Sequence, residues 1–244
     1  MSRSETDYLY REIVLDRIYH TNQIAERPRL VVDVGANIGL FALYAAASWQ
    51  PECIICLEAI PDVRDLLRRN LARNVTGPTE ILVPDVAAGA CDGAEDFIFY
   101  PGYSMMSGRY ADPDADFGMV HTYAVGQLDD QADQELLADI DELLRPRFAF
   151  EHRQVRVAPL SEICAAAGRS TIDVLKIDVE GDETAVLAGL GGVVVRNAFV
   201  EVDARRSSVA AVRAALEAYG LTVAQLTQGG YESLPLMILT GSSE

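Results

Sequence analysis

Lysine is almost absent from this chain. Lys176 is the only one, and the other 19 of the 20 basic residues are arginines, set against 37 aspartates and glutamates. The formal charge is −17. A surface this acidic repels phosphate backbones and anionic lipid headgroups, so neither nucleic acid nor a membrane surface is an expected partner. Cysteine is scarce too, with four residues. Cys53 and Cys56 form a C-x-x-C inside the apolar run Cys53-Ile54-Ile55-Cys56-Leu57, which reads as a buried strand. Residues three apart in a strand point to opposite faces, which excludes an easy disulfide. Zinc would want a second pair, but Cys91 and Cys164 stand alone. Long apolar runs are missing as well. The longest, Ile38 to Trp49, is too short to span a bilayer. The first residues, Met1-Ser2-Arg3-Ser4-Glu5-Thr6-Asp7, lack the apolar stretch of a signal peptide. Repeats and low-complexity linkers are lacking. The expectation is a soluble, cytoplasmic protein.

What is present is a foldable core. Of the 244 residues, 50% are hydrophobic and 23% charged, enough for one large domain over 1–244. Residues 1–29 form an N-terminal segment whose stretch 7–20 has helical spacing. Alternating units follow: strand Leu30–Val34, helix Ile38–Trp49, strand Cys53–Leu57, helix Pro61–Asn74, strand Glu80–Pro84 and a short strand Phe97–Tyr100. Residues 101–150 break the rhythm, hold one helical stretch near Ala132–Leu144, and are expected to form an inserted lid. Alternation resumes with Gln154–Val157, Leu160–Ala167, Asp173–Asp178, Asp182–Leu190, Ala198–Val202, helix Ser207–Tyr219, and strands Leu221–Leu226 and Leu234–Thr240. The pattern is that of an α/β protein: a Rossmann-like, mostly parallel sheet with helices on both faces, its ligand site beyond the C-terminal ends of the strands.

The first strand-helix turn reads Val31-Val32-Asp33-Val34-Gly35-Ala36-Asn37-Ile38-Gly39-Leu40. It differs from the dinucleotide fingerprint at two places. Asn37 stands where a glycine admits pyrophosphate, and Asp33 puts a carboxylate where phosphates would rest. A nicotinamide oxidoreductase is therefore the weaker reading. A cofactor with an ammonium and a sulfonium but no phosphate, S-adenosylmethionine, suits these residues better. Glu58 ends the second strand 25 residues after Asp33, where an acid can accept from both ribose hydroxyls.

These segments, together with Asp7 to Ile13, Phe99-Tyr100-Pro101, Ser104-Met105-Met106-Ser107-Gly108, Leu175 to Gly181 and Val200-Glu201-Val202-Asp203, resemble the FkbM-type methyltransferases that use S-adenosylmethionine. The resemblance is to the branch attached to polyketide and nonribosomal-peptide pathways. It implies a class I methyltransferase fold of seven strands with the last one antiparallel. It also implies methylation of a hydroxyl on a small secondary metabolite, with carboxylate or nitrogen methylation, or a noncatalytic cofactor-binding relative, as alternatives. The cofactor-binding residues it implies are Asp33, Gly35, Ala36, Asn37, Gly39, Glu58, Ala59, Asp85, Val86, Ser107 and Asp178. Two positions depart from the family's usual pattern: Ala59 replaces a proline after Glu58, and Asp203 stands where many relatives have histidine.

Asp178 and Glu180 are expected at one strand end, with Glu201 and Asp203 on the neighbouring strand. Such a crowd of acids needs a cation: the cofactor, a basic side chain or a divalent metal. Lys176 is expected to pair with a carboxylate such as Asp178. Glu180, Asp203 and Asp178 are the candidate catalytic residues, the first two as the base, in a metal-free route favoured over a magnesium-dependent one. His20, His121 and His152 are scattered; His121 and His152 are the next candidates. The sequence leaves the oligomeric state open.

Overall fold

The computed structural model describes residues 3–21, 24, 27–126, 134–226 and 236–243. The chain opens with α1 (Arg3–Tyr10), which runs directly into a π-helical turn, Arg11–Leu15. Then come β1 (Leu30–Val34), α2 (Leu40–Trp49), β2 (Cys53–Leu57), α3 (Pro61–Asn74), β3 (Glu80–Leu82), β4 (Ala87–Ala88) and β5 (Gly93–Phe99). The segment that follows holds a 3-10 turn at Ser104–Met106, α4 (Pro113–Gly126), α5 (Gln134–Leu144) and a second 3-10 turn at Arg145–Phe148. The second half holds β6 (Glu151–Ala158), α6 (Leu160–Ala166), β7 (Thr171–Ile172), β8 (Val174–Ile177), α7 (Glu183–Ala188), β9 (Val194–Val195), β10 (Asn197–Asp203), α8 (Val209–Ala218), β11 (Thr222–Leu226) and β12 (Leu236–Ser242).

The main sheet has seven strands in the order β11-β12-β10-β8-β1-β2-β3. β1, β2, β3, β8 and β10 pair in parallel, while β12 runs antiparallel to both β10 and β11. This is the expected Rossmann-like sheet with its reversed last strand. Period-two alternation divides the core between the faces. Leu30, Val32 and Val34 pack with Cys53, Ile55, Leu57, Leu175 and Ile177 on one side. Val31 packs with Ile54, Cys56, Val174, Phe41 and Phe199 on the other. Cys53 and Cys56 thus fall on opposite faces, and both are free thiols.

Several local expectations change. Helix α2 begins at Leu40 rather than Ile38, because Asn37 and Gly39 take positive φ values of 48° and 91° that no α-helix tolerates. The strand expected at Phe97–Tyr100 spans Gly93–Phe99 and stands outside the main sheet. It pairs antiparallel with β6, and with β4 these form a separate three-stranded sheet. Phe99 lies opposite Glu151, so the segment between them leaves and re-enters the fold at one point. That segment contains a helix, α4, where none was expected. Its start follows a recognisable signal: the Asp112 side chain accepts from the N–H groups of Asp114 and Ala115 at 3.1 and 3.0 Å, with Pro113 in the first turn. The first residues of the expected stretches at 132–144 and 234–240 lie outside the described residues. None of the helices among the described residues is long and apolar enough to cross a membrane.

Candidate active site

A cleft partly open to solvent lies at the C-terminal ends of β1, β2, β8 and β10. Its floor is the β1–α2 turn. Gly35 sits there with φ 74°, and a Cβ on it would come within 1.8 Å of the Asp178 carbonyl oxygen, so only glycine lets the two strand ends approach. Lys176 reaches under this turn and donates to the Gly35 carbonyl at 2.8 Å. It also pairs with Asp178 at 3.2 Å, as expected, and with Asp33 at 3.4 Å. Burial alone would lower its proton affinity, but the carboxylates of Asp178 and Asp33 raise it, so it stays charged.

Glu58 closes one end of the cleft. Its Oε2 accepts from the Asn37 N–H and its Oε1 from the Ile60 N–H, each at 2.9 Å. Burial pushes its pKa up, and those two N–H groups oppose the rise. A carboxylate offers about four lone-pair sites, so two remain for hydroxyl donors. Beside it Ile38, Ala59, Ala87 and Phe97 form a continuous apolar wall.

The opposite end is acidic. Glu12 from the π-helical turn, Asp178 and Glu180 beyond β8, and Glu201 on β10 all line it. Glu180 holds a left-handed backbone, φ 54°, which costs a side-chain-bearing residue about 1–3 kcal/mol and is typical of functional positions. Burial and the neighbouring Asp178 carboxylate push its pKa up to about 8. Burial, Asp178 and Glu12 likewise raise Glu201 well above the usual carboxylate range. Lys176 is the one basic residue lining the cleft among the described residues, against six acids, and its charge is already shared between Asp33 and Asp178. This end is short of positive charge. It fits a ligand that brings an ammonium or a sulfonium, whereas a pyrophosphate would be repelled. Among the described residues no three His, Cys, Asp or Glu side chains converge as metal ligands.

Of the residues expected to bind the cofactor, Gly35, Ala36, Asn37, Glu58, Ala59, Ser107 and Asp178 line the cleft. Four do not. Asp33 is fully buried beneath the floor, where the cation it meets is Lys176. Gly39 packs against Leu67 and Leu71 of α3 at the start of α2. Asp85 is exposed and pairs outward with Arg64 and Arg68, while Val86 packs into the sheet's core. Ala87 and Ala88 take the place expected for that pair, because the chain enters β4 only after Val86. Of the two candidate bases, Glu180 faces the cleft. Asp203 is buried outside its lining, gripped by Arg205 and near Arg206. His20, His121 and His152 are not in the lining.

Sequence reasoning assigned no site role to residues from three further parts of the chain. Tyr8 and Glu12 come from the N-terminal helices, a stretch whose sequence showed only helical spacing. Ser104 and Gly108 arrive from the loop after β5. Arg206, which reaches Glu180, lies 26 residues away in sequence and carried no signal at all.

A mostly parallel seven-stranded sheet with one reversed strand, and a carboxylate-rich cleft at its strand ends, form the architecture of the class I methyltransferases. The FkbM methyltransferase of Methylobacillus flagellatus KT has a similar fold, with a TM-score of 0.53 at 14% identity over 88% of this chain and 43% of that one. The chain belongs to the FkbM methyltransferase family, whose profile, the Methyltransferase FkbM domain, matches residues 33–223. It is 32% identical over 231 residues to the 31-O-demethyl-FK506 methyltransferase FkbM of Streptomyces tacrolimicus, covering 91% of this chain and 84% of that one. It is 34% identical over 220 residues to the AMB antimetabolite synthetase AmbE of Pseudomonas aeruginosa, covering 88% of this chain but 10% of the synthetase. The chain thus spans about a tenth of that relative's length. Membership of this family sets the oxidoreductase reading aside.

Proposed function

We propose that the chain transfers the methyl group of S-adenosylmethionine to a hydroxyl oxygen of a small secondary metabolite. The observation that carries this reading is Glu180: a cleft-lining carboxylate, on a strained backbone, whose proton affinity lies near neutrality. A carboxylate acceptor is already ionised and a neutral amine attacks with its own lone pair, so neither requires such a base. A hydroxyl does, since its proton must leave as the new bond forms.

When bound, the cofactor supplies an electrophilic methyl group on a sulfonium. Glu58 holds hydroxyl donors at one end of the cleft, beside the apolar wall of Ile38, Ala59 and Phe97. The acids at the other end hold the positive charge. A cation bound there lowers the proton affinity of Glu180, which leaves its carboxylate free to accept the acceptor's proton. Tyr8, Leu9 and Met105 add apolar surface to the lining, against which an acceptor can displace water. The name of the Streptomyces relative, a 31-O-demethyl-FK506 methyltransferase, supports the same acceptor class.

The test is turnover of labelled cofactor with a panel of hydroxylated polyketide and amino-acid-derived acceptors, with products identified by mass spectrometry. The expected product is an ether that survives mild alkali. An alkali-labile methyl ester or an N-methyl product would replace the hydroxyl reading, and tight cofactor binding with no turnover on any acceptor would mark a noncatalytic relative.

A further inference from the structure

Outside the cleft lining, one buried side chain reaches three carboxylates from three parts of the chain. The Arg206 side chain is 8% exposed. Its Nη1 donates to Glu180 Oε2 at 3.0 Å and approaches the Glu180 carbonyl at 3.4 Å. Its Nη2 pairs with Asp116 of α4, and its Nε lies 3.6 Å from Asp203. Asp116 is itself buried and accepts from the Tyr100 hydroxyl at 2.9 Å and from the Asp112 N–H at 3.0 Å. We propose that Arg206 is a positioning residue for the reaction: its guanidinium fixes the Glu180 carboxylate at the cleft wall and ties it to Asp116 of α4. The proposal rests on the reading of Glu180 as the base.

A guanidinium suits this task because its fork is planar and permanently charged, so each nitrogen keeps a fixed direction. Gripping both the carboxylate and the carbonyl of Glu180 also holds the left-handed peptide that aims the side chain. The charge matters as much as the geometry. Glu180 is faced by Asp178 at the end of β8, Glu183 on α7, Glu201 and Asp203 on β10, and the Tyr103 hydroxyl. Arg206 is the cation in contact with it, and Arg205 stands behind, paired to Asp203. Arg206 therefore opposes the burial and like-charge repulsion that raise the proton affinity of Glu180, and Asp116 draws off part of that positive charge. A guanidinium held away from Glu180 and serving only to anchor α4 would leave the titration of Glu180 alone.

The two roles separate in a carboxyl-carbon NMR titration of the full chain labelled at glutamate, with the Glu180 signal assigned by its loss in Glu180→Gln. Arg206→Met is expected to move the Glu180 midpoint up by about one pH unit or more. Arg206→Lys restores part of that shift, and Asp116→Asn moves the midpoint down, because it removes a negative charge without removing the guanidinium. Unmoved midpoints in Arg206→Met and Asp116→Asn overturn the proposal. Should Arg206→Met fail to fold, the nearly isosteric Asp116→Asn decides it alone. The base reading fails separately: full turnover in Glu180→Gln, on an acceptor from the hydroxyl panel, would reject it whatever the midpoints do.

Discussion

Lys176 Nζ lies 3.4 Å from Asp33 Oδ1, and the two residues are direct partners in the parallel pairing of β1 with β8. Both are buried, and both sit on the sheet face where the surrounding positions are Val31, Cys56 and Val174. The first carboxylate of the turn motif therefore acts through the lysine beneath the cleft floor. The same ammonium holds the Gly35 carbonyl and the Asp178 carboxylate, so one side chain sets the position of two strand ends.

Lys176→Met is expected to destabilise the fold by about 3–5 kcal/mol, the usual cost of leaving a buried charge without its partner. Lys176→Arg should restore little, because the planar fork does not fit a site built around a point charge 2.8 Å from a carbonyl. Urea unfolding of the three proteins measures this, and a loss under about 1 kcal/mol for the methionine variant would show that the ion pair is dispensable.

Glu58→Ala should weaken S-adenosylmethionine binding by about 1.5–3 kcal/mol, the range for hydrogen bonds to a charged group. The substitution also strips the Asn37 and Ile60 N–H groups of their acceptor. Glu58→Gln should recover part of the loss, since its amide oxygen still accepts. Titration calorimetry giving equal affinities for wild type and Glu58→Ala would remove Glu58 from the cofactor site.

The main sheet was readable because its strands are short apolar runs with turn residues between them, and the β1 and β8 ends announced themselves through glycine and acids. The excursion between β5 and β6 was not. Its helix α4 contains Gly118 and has apolar side chains on opposite sides, Tyr123 on one and Val125 on the other, so no helical period emerges. The two-residue strands β4, β7 and β9 are too short to carry any pattern. In the site, residues near the strand-end motifs were legible in sequence. Tyr8, Glu12 and Arg206 were not, because they enter through tertiary packing from segments distant in the chain.

Glu180 predicts an unusual dependence of stability on pH. Its folded-state pKa of about 8 lies above the ordinary glutamate value of 4.5, so between those values the folded chain binds more protons than the unfolded one. Its contribution is fully present below pH 4.5 and is lost as pH rises through 8. In ligand-free protein, the stability of wild type relative to Glu180→Gln should therefore fall steadily across that window. A difference that is flat with pH, measured by urea unfolding at several pH values, would contradict the burial of this carboxylate.

The stretch from Ser104 to Gly108 borders the cleft, and Glu5 of α1 accepts from the Ser104 hydroxyl and the Met105 N–H at 3.3 Å each. If residues 101–130 act as a lid, their N–H groups should exchange more slowly once cofactor is bound. Hydrogen exchange with and without S-adenosylmethionine tests this. Equal protection in both states would make the segment a static wall.

Glu180→Gln should lower turnover by about 10²–10⁴-fold while leaving cofactor affinity nearly intact. The amide keeps the shape of the side chain and a contact for Arg206 but cannot take a proton. Asp203→Asn offers the contrast. Asp203 lies outside the cleft lining with Arg205 and Arg206 against it, so its amide should reduce turnover less and mainly through the positions of those arginines. In wild type, turnover should rise with pH along a single limb set by the base, and that limb should vanish in Glu180→Gln. Addition of chelator should leave both rates unchanged; loss of activity on chelation, with recovery on magnesium, would transfer the task of acidifying the acceptor from Glu180 to a metal ion. Should Asp203→Asn abolish turnover while Glu180→Gln keeps it, the base is on β10 and the strained backbone at Glu180 serves only to shape the cleft.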